Sequence, residues 1–247
     1  MNDRLDIFEN ADYIKKRYPV IYIVDNSALM ADCGALDMVN NALLSIPAAV
    51  KAAAAEHHAE EPLFSAISVS DTAKWIFNGF VSADDFYWEK LGSGGDLRFS
   101  EAFEALCDGT ADEPFLLHRG FVRQPLILFL STGNGMETEE EFNNALAQLK
   151  KKRWFEVATK IAIAFGPDPN IKRLSAAASD PSAVISVSDP EKLKEIIKYF
   201  SVTGWVTGTV SKLDGLRTAS LEMIDSAMKS VFGDEWNTPG SFSLPTN

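Results

Sequence analysis

The sequence has few cysteines and comparatively few basic residues. Cys33 and Cys107 are the two cysteines in 247 residues, and their spacing fits no metal-ligand motif, so we expect buried free thiols. Lysine and arginine together number 23 against 35 aspartates and glutamates, which gives a formal net charge of -12. An acidic surface repels phosphate backbones and anionic lipids. The composition therefore argues against nucleic acid and membranes as partners.

Long apolar runs are also scarce. No run approaches the roughly 20 residues that a membrane-spanning helix needs. Residues 1–18 are charged and lack the apolar region of a signal peptide, so we expect a cytoplasmic location. Hydrophobic residues make up 46% and charged residues 23%, which is typical of a soluble globular protein with one large domain or a domain and an appendage.

Apolar strand-like runs alternate with helical patterns along the chain. The runs at 19–24, 125–131, 155–166 and 182–187 predict buried strands, and 63–80 predicts a hairpin that turns at Ser70-Asp71-Thr72. Helical patterns cover 35–56, 100–106, 137–152, 170–178 and 190–201. Ser100 could cap the second of these helices. This order predicts an α/β fold, a Rossmann-like three-layer sandwich. Its central sheet is mostly parallel with one antiparallel edge strand, and helices cover both faces.

Three polar loops follow the predicted strands at the edge where such sheets bind ligands. They come after Val24, at 92–97 and after Leu130. The first reads Asp25-Asn26-Ser27, the second contains Gly94-Gly95-Asp96, and the third begins Ser131-Thr132-Gly133. We expect these loops to form the functional edge of the molecule.

The three loops and the order of elements over residues 18–203 resemble the von Willebrand factor A domain. The likeness is greatest to the bacterial TerY-like branch associated with tellurium resistance. In that family an Asp-x-Ser-x-Ser loop, a Gly-Gly-Thr loop and a Thr-Asp-Gly loop form a metal-ion-dependent adhesion site that holds magnesium. Here Asp25 and Ser27 match the first loop, but Leu29, Asp96 and Thr132 depart from the pattern. The resemblance therefore implies the family's fold with a degenerate metal site.

The departures leave two states of the site open. Magnesium takes six oxygen ligands, and Leu29 supplies none, while Thr132 keeps an oxygen and loses a charge. Either Asp25, Ser27 and Asp96 form a rearranged site that binds a divalent cation weakly, or no metal binds and the loops contact a partner directly. A third role for Asp25 is structural, with its carboxylate accepting backbone N–H groups. The predicted contact residues are Asp25, Asn26, Ser27, Asp96, Thr132 and Asn134.

The resemblance implies a non-enzymatic adaptor that binds a protein partner, in a bacterial stress-response or signalling assembly. Two alternatives stay open. The first is a phosphohydrolase with Asp25 as nucleophile, although Ser27 stands where a general acid is usual. The second is a subunit of a homo-oligomer joined through the C-terminal helix. Residues 1–17 are predicted to be an N-terminal extension, and 204–247 a helical extension and tail that packs on the domain or on a partner.

Overall fold

The computed structural model describes residues 16–56, 60–109, 123–206 and 216–233. Seven strands of this part form one sheet in the order β3-β2-β1-β5-β6-β7, with β4 also paired to β2. They are β1 (Lys16–Asp25), β2 (Glu60–Val69), β3 (Ala73–Trp75), β4 (Val81–Ser82), β5 (Leu126–Ser131), β6 (Thr159–Ala164) and β7 (Val184–Ser186). Five adjacent strands, β2, β1, β5, β6 and β7, run parallel to one another. The short strands β3 and β4 pair with β2 in the antiparallel direction. The predicted turn at 70–72 is confirmed.

Helices cover both faces of this sheet. They are α1 (Ala28–Asp32), α2 (Ala35–Leu44), α3 (Ile46–Glu56), α4 (Phe99–Gly109), α5 (Glu139–Lys150), α6 (Arg153–Val157), α7 (Ile171–Ala177), α8 (Pro190–Val206) and α9 (Leu216–Phe232). Alternate residues of β1 point to opposite faces. Tyr22 and Val24 pack with α2, α3, α8 and α9, whereas Ile21 and Ile23 pack with α4 to α7. This arrangement confirms the predicted three-layer α/β sandwich.

The apolar segment 35–56 forms two helices that are divided at Ser45. Pro47 lacks an N–H group and its ring clashes with the carbonyl four residues earlier, which accounts for a break at this point. Contrary to the sequence prediction, these 22 residues are long and apolar enough to cross a membrane by length and composition. In the structure, Val39, Leu43 and Val50 are instead buried in the core that α8 and α9 complete.

The helix α9 packs on its own domain. Met223, Ile224 and Met228 are buried in the same core as β1 and α8. The predicted packing of the C-terminal helix on its own domain is therefore observed for these side chains, and the alternative of an oligomer joined through this helix stays a prediction. The predicted extension at 1–17 and the tail beyond α9 lie almost wholly outside the described residues.

Three local predictions were wrong. Residues 155–157 end the helix α6 instead of opening β6, because a short apolar run has the same composition in a buried helix and in a strand. Ser100 lies inside the first turn of α4 and does not cap it. Cys33 is exposed and Cys107 is partly buried, so neither thiol is a core residue.

Lys160 provides a pH-dependent test of this packing. Its ammonium is buried against α6 and donates to the carbonyls of Phe155 at 2.9 Å and Ala158 at 2.7 Å. Burial lowers the pKa of Lys160 to about 8, whereas the pKa of a lysine in the unfolded chain is about 10.4. Between these values the unfolded state binds more protons, so the free energy of unfolding rises with pH.

We expect urea unfolding to show this rise when wild type is compared with Lys160→Met. The wild-type value minus the variant value should increase by about 2–3 kcal/mol between roughly pH 7 and pH 10.5. Subtraction removes the titration of groups that both proteins share. A difference that stays constant over this range would contradict the buried ammonium.

Candidate functional site

Asp25 is the central side chain at the carboxyl edge of the sheet. It ends β1, is 0% exposed, and accepts hydrogen bonds on both carboxylate oxygens. Oδ1 accepts the backbone N–H of Ser27 at 2.9 Å. Oδ2 accepts the hydroxyl of Ser131 at 2.6 Å, and the backbone N–H and hydroxyl of Thr132 at 3.2 and 3.3 Å. The carboxylate thus ties the loop after β1 to the loop after β5.

Ser27 and Leu29 occupy the other two positions of the first motif. Ser27 is 1% exposed, and its Oγ has no hydrogen-bond partner among the described residues. Ser27 is the N-cap residue of α1, but its side chain makes no capping hydrogen bond to that helix. Leu29 is 42% exposed, so the residue that replaces an oxygen ligand presents an apolar side chain to solvent.

The glycine-rich loop is fastened directly to the first motif. The Asn26 side chain donates to the carbonyl of Gly92 at 2.9 Å, and the Asn26 carbonyl accepts the N–H of Gly94 at 2.7 Å. The N–H of Ala28 donates to the carbonyl of Gly95 at 2.9 Å. A Cβ on Gly94 would lie 2.6 Å from the Cβ of Ser70. Glycine is needed here because the loop passes directly over Ser70.

The third loop brings in the remaining predicted residues. Thr132 is buried, and its carbonyl accepts the N–H of Asn170 at 2.8 Å. Asn134 is partly exposed and donates from its side chain to the carbonyl of Asp168 at 2.8 Å. Of the predicted contact residues, Asp25, Ser27 and Thr132 therefore form the buried floor, while Asn26 and Asn134 hold neighbouring loops. Asp96 is exposed on the glycine-rich loop.

Arg173 and Glu137 support this edge and were missed by the sequence analysis. Arg173 in α7 donates to Oε1 of Glu137 at 3.2 Å and to its carbonyl at 2.9 Å, and also to the carbonyl of Gly135 at 3.0 Å. The Glu137 side chain is 0% exposed. Its Oε1 also accepts the N–H of Phe99, the first residue of α4, at 3.2 Å. Glu137 therefore caps a free N–H group at the start of this helix, the role that the sequence had predicted for Ser100. No sequence motif marks this pair.

The donor set does not fit a magnesium ion. Such an ion needs several free oxygen ligands in near-octahedral geometry. Here both oxygens of Asp25 accept protein hydrogen bonds, and Thr132 Oγ1 donates to Asp25 and accepts from Asn134 N–H. Among the residues of this edge that the structure describes, the buried oxygens without a partner are Ser27 Oγ and Glu137 Oε2, and the Glu137 carboxylate already binds the Arg173 guanidinium. In the part of the chain that the structure describes, no three His, Cys, Asp or Glu side chains are placed to hold a metal.

Exposed apolar side chains also lie at this edge of the sheet. Leu29, Met136 and Ile171, which we call the apolar rim, are 42%, 70% and 36% exposed. They follow the carboxyl ends of β1, β5 and β6, which are neighbours in the sheet. The rim therefore lies along the edge where open α/β sheets bind their ligands.

Acidic groups accompany the rim. Asp71, Asp96 and Asp168 are exposed at the same edge. The Ser70 hydroxyl donates to Asp71, and this bond is the main cause that lowers the pKa of the Asp71 carboxyl. Beside them, the hydrogen bond from Arg173 lowers the pKa of Glu139. Both carboxylates are ionised at neutral pH.

Comparison with solved structures shows the fold. One match is a von Willebrand factor type A protein from Catenulispora acidiphila, with a TM-score of 0.54 and 16% identity over 76% of this chain and 42% of the other. Another is proximal thread matrix protein 1 from the mussel byssus with a zinc-occupied MIDAS motif. Its TM-score is 0.52 with 16% identity, over 77% of this chain and 46% of that one. The PilB minor pilin from Streptococcus sanguinis matches at 0.55 with 10% identity, over 81% and 64%.

The fold is thus that of von Willebrand factor A domains, as the motif resemblance implies. The chain spans less than half the length of the first two structures and 64% of the third. No protein-family model matches the sequence. No curated protein matches it either.

Proposed function

We propose that this protein is a non-enzymatic interaction module that binds a protein partner through the apolar rim, without a metal ion. The observation that carries the proposal is the exposure of Leu29 and Met136 at the edge where this fold binds ligands. Exposed apolar side chains grouped at one edge are typical of contact surfaces. The fold supports a protein-interaction role in general. The exposed apolar side chains at this edge support apolar packing as the way in which this protein contacts its partner.

A phosphohydrolase reaction is disfavoured by the surroundings of Asp25. A nucleophilic carboxylate must reach the phosphorus atom of its substrate. Asp25 is fully buried, and its oxygens accept hydrogen bonds from Ser27, Ser131 and Thr132. We infer that this carboxylate holds the loops together and performs no chemistry.

The finer setting is also a proposal. The resemblance of the three loops to the TerY-like branch supports a scaffold in a bacterial stress-response or signalling assembly. A cytoplasmic place for this scaffold is part of the same proposal.

Site-specific crosslinking in cells of the source organism tests the proposed surface. A photoreactive amino acid at Met136 should give a discrete crosslinked protein species. The matched control is the same amino acid at Leu44, an equally apolar residue that is 43% exposed on α2, away from the loop edge. A species formed equally from both positions, or from neither, would refute the proposed surface.

A further inference from the structure

We propose that the partner presents a lysine or arginine next to an apolar side chain, so that its cation contacts Asp96 while the apolar group packs on the rim. This inference rests on the proposed function and specifies the partner's chemistry. It reverses the expectation for a metal-containing site, in which the ion attracts a carboxylate from the partner.

Backbone hydrogen bonds place Asp96 between two members of the rim. On one side, the N–H of Ala28 donates to the carbonyl of Gly95 at 2.9 Å, and Leu29 is the next residue. On the other side, the N–H of Met136 donates to the carbonyl of Leu97 at 2.8 Å. A partner segment that covers Leu29 and Met136 therefore passes the exposed Asp96 carboxylate.

The charges at this edge favour a cation. Asp96 and Asp168 form no ion pair within the described residues. The neighbouring bases pair with other acids. The Arg98 guanidinium nitrogens lie 3.9 and 3.6 Å from carboxylate oxygens of Glu101 and Glu141, and Lys172 Nζ lies 3.7 Å from Glu139 Oε2.

Asp71 adds to this negative potential. Its carboxylate lies beside Gly95, where Cγ of Asp71 would be 3.1 Å from a Cβ added to the glycine. The positive charge of Lys74 on β3 contributes to lowering the pKa of Asp71. Lys74 thus acts on Asp71, while Asp96 and Asp168 have no ion pair within the described residues, so this edge attracts a cation and repels a partner's carboxylate. Such complementarity governs specificity and association rate more than affinity.

Selection of short random peptides on the full-length protein, in the presence of a chelator, tests the inference. Peptides should be enriched in lysine or arginine adjacent to leucine, isoleucine, methionine or phenylalanine. By fluorescence polarisation, the double substitution Leu29→Ser with Met136→Ser should weaken binding about tenfold or more. Asp96→Lys should weaken it several-fold, and binding should fall with added salt.

The control for the charge reversal is Glu222→Lys, which changes an exposed acid on α9 by the same charge and should leave binding unchanged. Peptides that bind the rim but are acidic, or that are indifferent to Asp96→Lys, would overturn the inference and leave the proposed function standing. Peptides that bind the rim double variant as well as wild type would overturn both.

Discussion

Asp25→Asn is expected to lower the free energy of unfolding by about 3 kcal/mol, equally in chelator and in magnesium. Four donors converge on the two oxygens of this buried carboxylate, from Ser27, Ser131 and Thr132. Asparagine keeps one acceptor and turns an N–H₂ group toward a buried donor. At least one backbone or hydroxyl donor then loses its partner, and bonds to a charged acceptor become weaker neutral ones.

Ser27→Ala is the matched control for this substitution. It removes an atom from the same floor, but Ser27 Oγ has no partner among the described residues. We expect its free energy of unfolding to equal that of wild type or to rise by up to about 1 kcal/mol. Urea unfolding of the three proteins gives the comparison. If Asp25→Asn were within about 0.5 kcal/mol of wild type in chelator, the carboxylate would not be the structural tie described above.

Arg173→Met is expected to cost about 3–5 kcal/mol, because it leaves Glu137 buried without its cation. The same substitution removes the donors that hold the carbonyls of Gly135 and Glu137. Met136 lies between these two residues, so its position on the rim depends on Arg173. We therefore also expect weaker partner binding and faster amide exchange in residues 133–137.

The neighbouring Lys172→Met serves as control. The Lys172 side chain is 87% exposed and lies 3.7 Å from Glu139, so its loss should change stability by less than about 1 kcal/mol. Adding Glu137→Gln to Arg173→Met should recover part of the loss, since glutamine still accepts the Phe99 N–H and carries no charge. A double variant that is less stable than Arg173→Met alone would show that the charge pair is not the source of the cost.

The fold could be predicted from the sequence because its signals are local. The run around Ile21 and Ile23 is apolar on both faces, which indicates a strand buried in a parallel sheet. The hairpin turn at 70–72 and the order of strands and helices then restrict the topology. The place of the three loops follows from the direction of the parallel strands.

The support of the site could not be predicted, because its contacts join distant segments. Arg173 and Glu137 are 36 residues apart, and neither type of residue indicates burial when read alone. The predicted contact set also contained Asp25 and Thr132, which the structure buries. It omitted Met136 and Ile171, which we propose as contact residues, since an exposed apolar residue has no signature in a single sequence. Leu29 was recognised as a missing ligand and not as a contact residue.

Calorimetric titration of magnesium and manganese into chelator-treated protein tests the central claim that the edge works without a metal. We predict no heat beyond dilution for wild type or Ser27→Ala, and the same melting temperature in chelator and in excess magnesium. An ion bound at about 100 times its Kd would instead raise the free energy of unfolding by about 2.7 kcal/mol. Saturable heat in wild type that disappears in Ser27→Ala would contradict the account and restore a cation to the floor of the site.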